Sequence, residues 1–303
     1  MIPRVRGIRS VEIDVASVKA ASDFYRNVWK LTEVASPGAT CFRGTAAYHH
    51  IIGLHPPGAE GPAIRSVVFD VADAAQLHAL HAKVKAAIPN VEAPHALGGA
   101  AGGFGFGFKD SEARNFILLT EARDHGGAST PVADHPHKVT HINLNAADYA
   151  RTADFLVEIL GFRLIDESGR ARFLHADCPD HFSVAVVNAR NATLNHIAFD
   201  MLDIDSVMRG AGRMIDNGYP IEWGVGRHGP GNNVFAYFAG PEELPLEYTT
   251  EVLQIDDSYV PRGPDHWKFP PGRSDQWGIT QPQTKRLARI QELFRFTADG
   301  HRT

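Results

Sequence analysis

The run THINLNAADYARTADFL (residues 140–156) decides the fold because the chain carries a second copy of it. RSVEIDVASVKAASDFY (residues 9–25) lies over it without a gap at an offset of 131 residues, placing Ala16 over Ala147, Asp23 over Asp154 and Phe24 over Phe155. Both copies read as an alternating strand followed by an amphipathic helix. A repeat constrains architecture before any single element does. At an offset of 130, AIRSVVFDVAD (63–73) lies over TLNHIAFDMLD (193–203), pairing Phe69-Asp70 with Phe199-Asp200, and Phe108 then falls over Phe238. Two halves of similar fold follow. The spacing of similar starts, near Ile8, Ala63, Val139 and Thr193, divides each half into two units of about 55 residues. Every unit has a strand, a helix and several short strands broken by Gly, Pro or Asp, so the fold class is α+β.

Working outward, residues 1–121 form a first domain and 138–252 a second. Residues 122–137 (ARDHGGASTPVADHPH) have the Gly, Pro and small polar content of a linker. Residues 253–303 form a C-terminal arm. Its 256–283 stretch, rich in Pro, Gly, Asp and Trp, reads as extended. The 284–297 stretch (TKRLARIQELFRFT) reads as a closing amphipathic helix with Leu287, Ile290, Leu293 and Phe294 on one face. Trp267, Arg273 and Trp277 are candidates to cover a pocket mouth or to make a subunit contact.

A composition 44% hydrophobic and 21% charged is that of a globular protein. The balance of 30 basic and 35 acidic residues contains no basic block, which argues against nucleic acid or an anionic membrane as partner. Cys41 and Cys178 are too few for a disulfide framework. No apolar run of spanning length is present, and MIPRVRGIRS lacks a signal-peptide core. These features predict a cytoplasmic location, and we expect a homo-oligomer, a dimer or tetramer.

The repeat lets one half serve as a control for the other. Positions that the fold needs should match, while positions that chemistry needs are free to differ. His141 sits over Ser10, His196 over Ser66 and Glu247 over Ile117. His141 and His196 stand in apolar strand runs, and Glu247 occupies a position in LPLEYTTEV where alternation calls for an apolar residue. A lone strand His is more often a hydrogen-bonded core residue than a ligand. A strand Glu can equally belong to an edge facing water. Three such coincidences in one half favour a metal site. Two His and one carboxylate make the facial triad of non-haem Fe(II), with three coordination positions open, and Mn, Co or Zn suit the same donors.

At these residues the chain resembles the type I extradiol ring-cleavage dioxygenases of the vicinal oxygen chelate superfamily, over about residues 7–252 by architecture. The run GRHGPGNNVFAYFAGPEELPLEY (226–248) is similar to that family's signature: a Gly-x-His, an aromatic-Tyr strand, a Pro turn and a ligand Glu. Tyr237 stands nine residues after His228, and Glu247 ten after Tyr237. The resemblance implies two domains, each of two βαβββ modules forming an open, metal-enclosing barrel. It implies ring cleavage of a catechol-type diol by O₂ at Fe(II), with Mn(II) as the other candidate. It further implies His141, His196 and Glu247 as ligands, His181, His228 and Tyr237 as the groups over the substrate, and Asn143 as a substrate contact. Trp223 and Arg273 complete the expected substrate-binding set. The chain departs from the family where Trp223 replaces an Arg seen in relatives acting on acidic catechols. This departure argues against a carboxylated ring.

In chemical terms, Tyr237 would hydrogen-bond a deprotonated diol oxygen, His228 would donate to the other, and His181 would move protons on the oxygen side. His50 lies over His181 in the repeat, whereas Gly98 lies over His228 and Gly107 over Tyr237, so a structural role for His181 stays open. GGAAGGFGFGF (98–108) lacks the Gly-Lys-Ser/Thr of a phosphate loop. YHHIIGLH (48–55) invites a second metal, but no carboxylate appears at the matching place, and a remnant strand is the expectation. A glyoxalase-like lyase or isomerase, or a ligand-binding protein, is the alternative function. Tyr237 and His228 are the features that speak against it.

Overall fold

The structure is a computed structural model, and it describes residues 2–36, 38–126, 129–269 and 271–298. Parts of the expected linker (127–128) and arm (270 and 299–303) lie outside the described residues. Among the described residues sixteen strands form two open eight-stranded sheets. The first sheet contains β1 (Val5–Asp14), β2 (Thr32–Val34), β3 (Thr40–Arg43), β4 (Ile52–His55), β5 (Ala63–Val71), β6 (His95–Ala96), β7 (Phe104–Lys109) and β8 (Asn115–Thr120). The second contains β9 (Val139–Ala146), β10 (Arg163–Glu167), β11 (Ala171–His175), β12 (Val184–Asn188), β13 (Thr193–Asp200), β14 (Trp223–Arg227), β15 (Val234–Ala239) and β16 (Pro245–Thr250). Helices α1 (Val18–Asn27), α2 (Ala74–Ala87), α3 (Tyr149–Glu158) and α4 (Ile204–Asp216) each follow the first strand of a unit, and α5 (Lys285–Ile290) comes last.

The strand order is the same in both sheets: β2-β3-β4-β1-β5-β8-β7-β6 and β10-β11-β12-β9-β13-β16-β15-β14. In each unit the meander returns its last strand parallel to its first, β4 to β1 and β8 to β5, and the two units join through the antiparallel pair β1–β5. The helix starts show the repeat at the level of single hydrogen bonds. Ser17 and Asp148 cap α1 and α3, and Asp73 and Asp203 cap α2 and α4, each side chain accepting from the backbone N–H three residues on.

Alternation along the strands sorts side chains to two faces. Val11, Ile13, Val67, Phe69, Phe116 and Leu118, with Ile142, Leu144, Phe199, Leu246 and Tyr248 from the second sheet, join the helices in one core spanning both halves. Trp29, fully buried at the end of α1, stacks on Tyr248 at 3.8 Å and meets Phe199 edge-on at 5.3 Å, so the halves share aromatic packing. The opposite, inner face of each sheet carries a cavity.

Three details of the sequence reading are corrected. The sheet register pairs Val11 with Ile52 and Ile142 with Val184, so the offset is 132 residues in this strand and His181 lies over His49 rather than His50. Leu97 and His228 make equivalent backbone bonds, to Gly103 and Asn233, so the counterpart of His228 is Leu97 rather than Gly98. The closing helix is shorter than 284–297. Leu287 and Ile290 are buried as expected, but the chain then extends: the Leu194 N–H donates to the Phe294 carbonyl and the Ile64 N–H to that of Arg295. These bonds to the first residues of β13 and β5 replace the helical ones, bury Phe294 and leave Leu293 exposed.

Candidate metal centre

The sheet register brings the three predicted ligands together. Ala198 of β13 pairs with His141 on one side and Glu247 on the other, and His196 lies two residues earlier on the same face. The first half repeats the geometry with other residues: Val68 pairs with Ser10 and with Ile117. Glu247 sits inside the sheet between β13 and β15, with 0% exposure, which rules out the water-facing edge reading. Its Oε2 lies 3.1 Å from His196 Nε2 and 3.4 Å from His141 Nε2. These three form the one cluster among the described residues with donor atoms close enough to share an ion.

The donor orientation fits a cation. Asn195 Oδ1, 2.8 Å from His196 Nδ1, accepts that ring's proton and leaves Nε2 as a lone-pair donor toward the triad. Asn233 Nδ2 donates to Glu247 Oε1 at 3.2 Å and to Thr249 at 2.7 Å, fixing one carboxylate oxygen while Oε2 has no hydrogen-bond partner. A buried, partnerless carboxylate oxygen facing two imidazole nitrogens is costly unless a cation fills the gap. Burial pushes the Glu247 carboxyl up, but His141 and His196 outweigh it and hold the group well below the usual carboxylate range. Burial lowers His196 against the pull of Glu247, favouring the neutral ring that a metal requires.

The triad opens on a cavity of about 180 Å³ lined by His141, His196, Asn143, Trp223, His228 and Tyr237 together with Phe173, Phe182, Asn195, Pro230 and Gln291. Tyr237 O–H lies 3.1 Å from His228 Nε2 and 3.5 Å from His196 Nε2. Burial, then the Glu247 charge, raises Tyr237 well above its ordinary value, so it stays a hydroxyl donor. Burial lowers His228 to about 4, so at neutral pH it is an uncharged imidazole. Trp223 stacks on Tyr237 at 5.2 Å. Among the described residues no lysine or arginine lines the cavity.

Two predicted residues are not brought to the cavity. His181 is wholly buried behind Phe182, its Nε2 3.0 Å from Asp166 and 3.3 Å from Tyr259 O–H, while the Phe182 ring packs 4.3 Å from His141 and takes the cavity wall. Residues 181 and 182 lie in the connection just before β12, where the His181 ring turns toward Asp166 and the Phe182 ring toward His141. Arg273 is exposed, lies against Gly278 and does not line the cavity. The arm nevertheless packs on the loop that carries His228. Trp267 and Phe269 lie so close to Gly229 that a Cβ there would fall 2.9 Å from one and 3.0 Å from the other, and the Gln276 amide donates to the Arg227 carbonyl at 2.8 Å. Sequence reasoning missed Asn195, Asn233, Phe182 and Gln291. Asn195 had a signal available, because it stands over Arg65 and adjoins the predicted ligand His196.

The Glyoxalase/Bleomycin resistance protein/Dioxygenase superfamily matches residues 138–248. Metapyrocatechase 2 from Cupriavidus necator is 34% identical over 130 residues, 42% of this chain and 39% of that protein, so the match spans well under half of the relative's length. The crystal structure of a Mn(II)-bound glyoxalase from Novosphingobium aromaticivorans is 31% identical, with a TM-score of 0.85 over 93% of this chain and 94% of the other. A homoprotocatechuate 2,3-dioxygenase variant from B. fuscum, 18% identical with a TM-score of 0.82 over 99% of this chain and 85% of the other, shares the fold. BphC, a halotolerant catechol dioxygenase, does so at 19% identity and 0.72 over 86% and 91%. No helix among the described residues is long and apolar enough to cross a membrane.

Proposed function

Because the chain belongs to the glyoxalase/bleomycin resistance protein/dioxygenase superfamily, we propose that it is a metal-dependent extradiol dioxygenase. It opens the ring of an uncharged catechol-type diol beside its hydroxyls and incorporates both atoms of O₂. Fe(II) is the metal of this reading, with Mn(II) as the second candidate, and His141, His196 and Glu247 are its ligands. The observation that carries the reading is the triad opening on a ring-sized cavity with Tyr237 and His228 beside it. The metapyrocatechase relative supports the same chemistry.

A metal held by His141, His196 and Glu247 would act as a Lewis acid and lower the pKa of a bound diol. Tyr237, held as a neutral hydroxyl, donates to a diol oxygen as that oxygen becomes anionic. His228 is uncharged above about pH 4, and its Nε2 against the Tyr237 O–H gives a proton leaving the substrate a place to go. Asn143 Oδ1, buried without a partner, accepts from a ring hydroxyl. Trp223 and Phe182 hold the ring by its faces, and the lack of a cation in the lining disfavours an acidic ring.

The test is O₂ uptake by anaerobically reconstituted protein, loaded with Fe(II) or Mn(II), against a panel of neutral and carboxylated catechols, watching for a yellow ring-opened product. Metal-loaded protein that consumed no O₂ with any diol would end the proposal. A second reading, a metal-dependent lyase or isomerase, is favoured by two observations: the Mn(II)-bound glyoxalase relative and the phenyl ring of Phe182 where a proton-moving His181 was expected. Turnover of a hemithioacetal without O₂ would establish it.

A further inference from the structure

The first half keeps a cavity of its own, about 250 Å³, on the face that in the second half carries the triad. Ser10, Ser66 and Ile117 stand there at the ligand positions. Glu12 takes the place of Asn143. Its Oε1 accepts from Ser10 Oγ at 2.7 Å and from His50 Nε2 at 2.9 Å, and its Oε2 from His55 Nε2 at 2.8 Å. This is the carboxylate whose absence argued against chemistry at YHHIIGLH, supplied by a strand remote in sequence. The backbone makes room for it, since a Cβ on Gly53 would fall 1.8 Å from Glu12 Oε2. Burial opposes ionisation of Glu12, but His50 and His55 hold its carboxyl well below the usual range.

The trio is no second metal site: the two imidazoles approach different carboxylate oxygens, and the three donors do not converge as the triad does. Arg9, 5% exposed, lines the same cavity. Its Nη atoms donate to Asp70 at 3.3 Å, Asp124 at 2.5 Å and the Arg123 carbonyl at 2.9 Å, while its buried Nε has no partner among the described residues. Val68, Ile117 and Leu119, with Leu97 against them, form an apolar wall separate from the main core.

An ionised carboxylate and a guanidinium with an unused N–H, set in a cavity, destabilise a fold that apolar residues would serve better. We infer that this cavity is a second ligand site, built for a small apolar ring that carries a hydroxyl. A ring hydroxyl donates to the Glu12 carboxylate while Val68, Ile117 and Leu119 pack against the ring. A carboxylate would meet the charge of Glu12, and an ammonium that of Arg9 in the same lining. The inference stands apart from the reaction proposed above, because it needs neither metal nor diol.

The experiment is isothermal titration of 4-methylphenol, which has one hydroxyl and cannot act as a diol, into the metal-loaded full-length protein. One binding event is expected. It persists in His196→Ala, weakens at least ~10-fold in the near-isosteric Glu12→Gln and disappears in Gly99→Leu. Gly99 lines the cavity with no atom within 4 Å of an added Cβ, so Leu enters open space without disturbing the fold. Benzoate binds at least ~10-fold more weakly than the phenol. Absence of phenol binding overturns the inference. So does binding that survives Gly99→Leu and vanishes in His196→Ala, which would assign it to the triad, or benzoate binding as tight as the phenol.

Discussion

The two sheets have the same strand order, register and helix caps, yet on their inner faces Ser10, Ser66 and Ile117 stand where His141, His196 and Glu247 stand in the other. One sheet pairs small and apolar side chains at these positions, and the other gathers three ionisable groups around a carboxylate oxygen that no hydrogen-bond donor satisfies. The strands close equally well both ways. The triad is therefore an addition to the fold rather than a support of it, and replacing its members should separate chemistry from stability.

The sharpest way to break this comparison is His196→Ala. It should abolish metal binding and reduce turnover to background while circular dichroism and cooperative melting persist, and metal analysis of the parent should give about one ion per chain. Global unfolding would make His196 a core residue after all. Importing the first-half residue sharpens the point: Glu247→Ile should stabilise the metal-free protein by ~1–4 kcal/mol, since a buried charged group gives way to an apolar one of the kind its counterpart uses. Denaturant melts of the metal-free variants read this directly.

Next in size is Tyr237→Phe. Gly107 stands over Tyr237, so the hydroxyl serves no general folding need, and loss of one donor to a developing oxyanion should lower kcat ~10²-fold with metal content unchanged. His181→Asn should change kcat by less than ~10-fold, because its imidazole faces Asp166 and Tyr259 instead of the cavity. A drop of ~10²–10⁴-fold would return His181 to general acid-base catalysis.

The smallest effect concerns the paired aspartates. Asp70 is bonded by Arg6 at 2.8 Å and Arg9 at 3.3 Å. Among the described residues no arginine is bonded to Asp200; burial raises its carboxyl to about 7, Lys138 counteracts this and Asp180 adds to it. The folded chain thus holds this proton more tightly than the unfolded chain, so the associated stability is present below the ordinary carboxylate pKa and is lost as pH rises through about 7. Asp200 is partly exposed, which reduces the effect. Asp200→Asn should raise Tm by ~2–4 °C at pH 8 and leave it unchanged at pH 4. An equal shift at both pH values would contradict the titration.

Much of the molecule was legible in the chain itself. The repeat gave two halves and four units because strand and helix periodicities are local patterns, and the strands at Ala63, Val139 and Thr193 begin where the repeated runs do. The candidate metal-binding cluster of His141, His196 and Glu247 was legible because each residue breaks a pattern that its counterpart keeps. Sequence could not decide which side a residue takes when a strand gains one residue. The shift to an offset of 132 puts Phe182 rather than His181 at the cavity wall, in the connection that leads into β12. Nor could it show that Glu12 meets His50 and His55, or that Phe294 and Phe296 extend to the two sheets instead of continuing a helix. Those contacts join residues tens to hundreds of positions apart. Their energies depend on which polar and apolar groups remain unsatisfied once the sheets have formed, and tertiary packing alone fixes that.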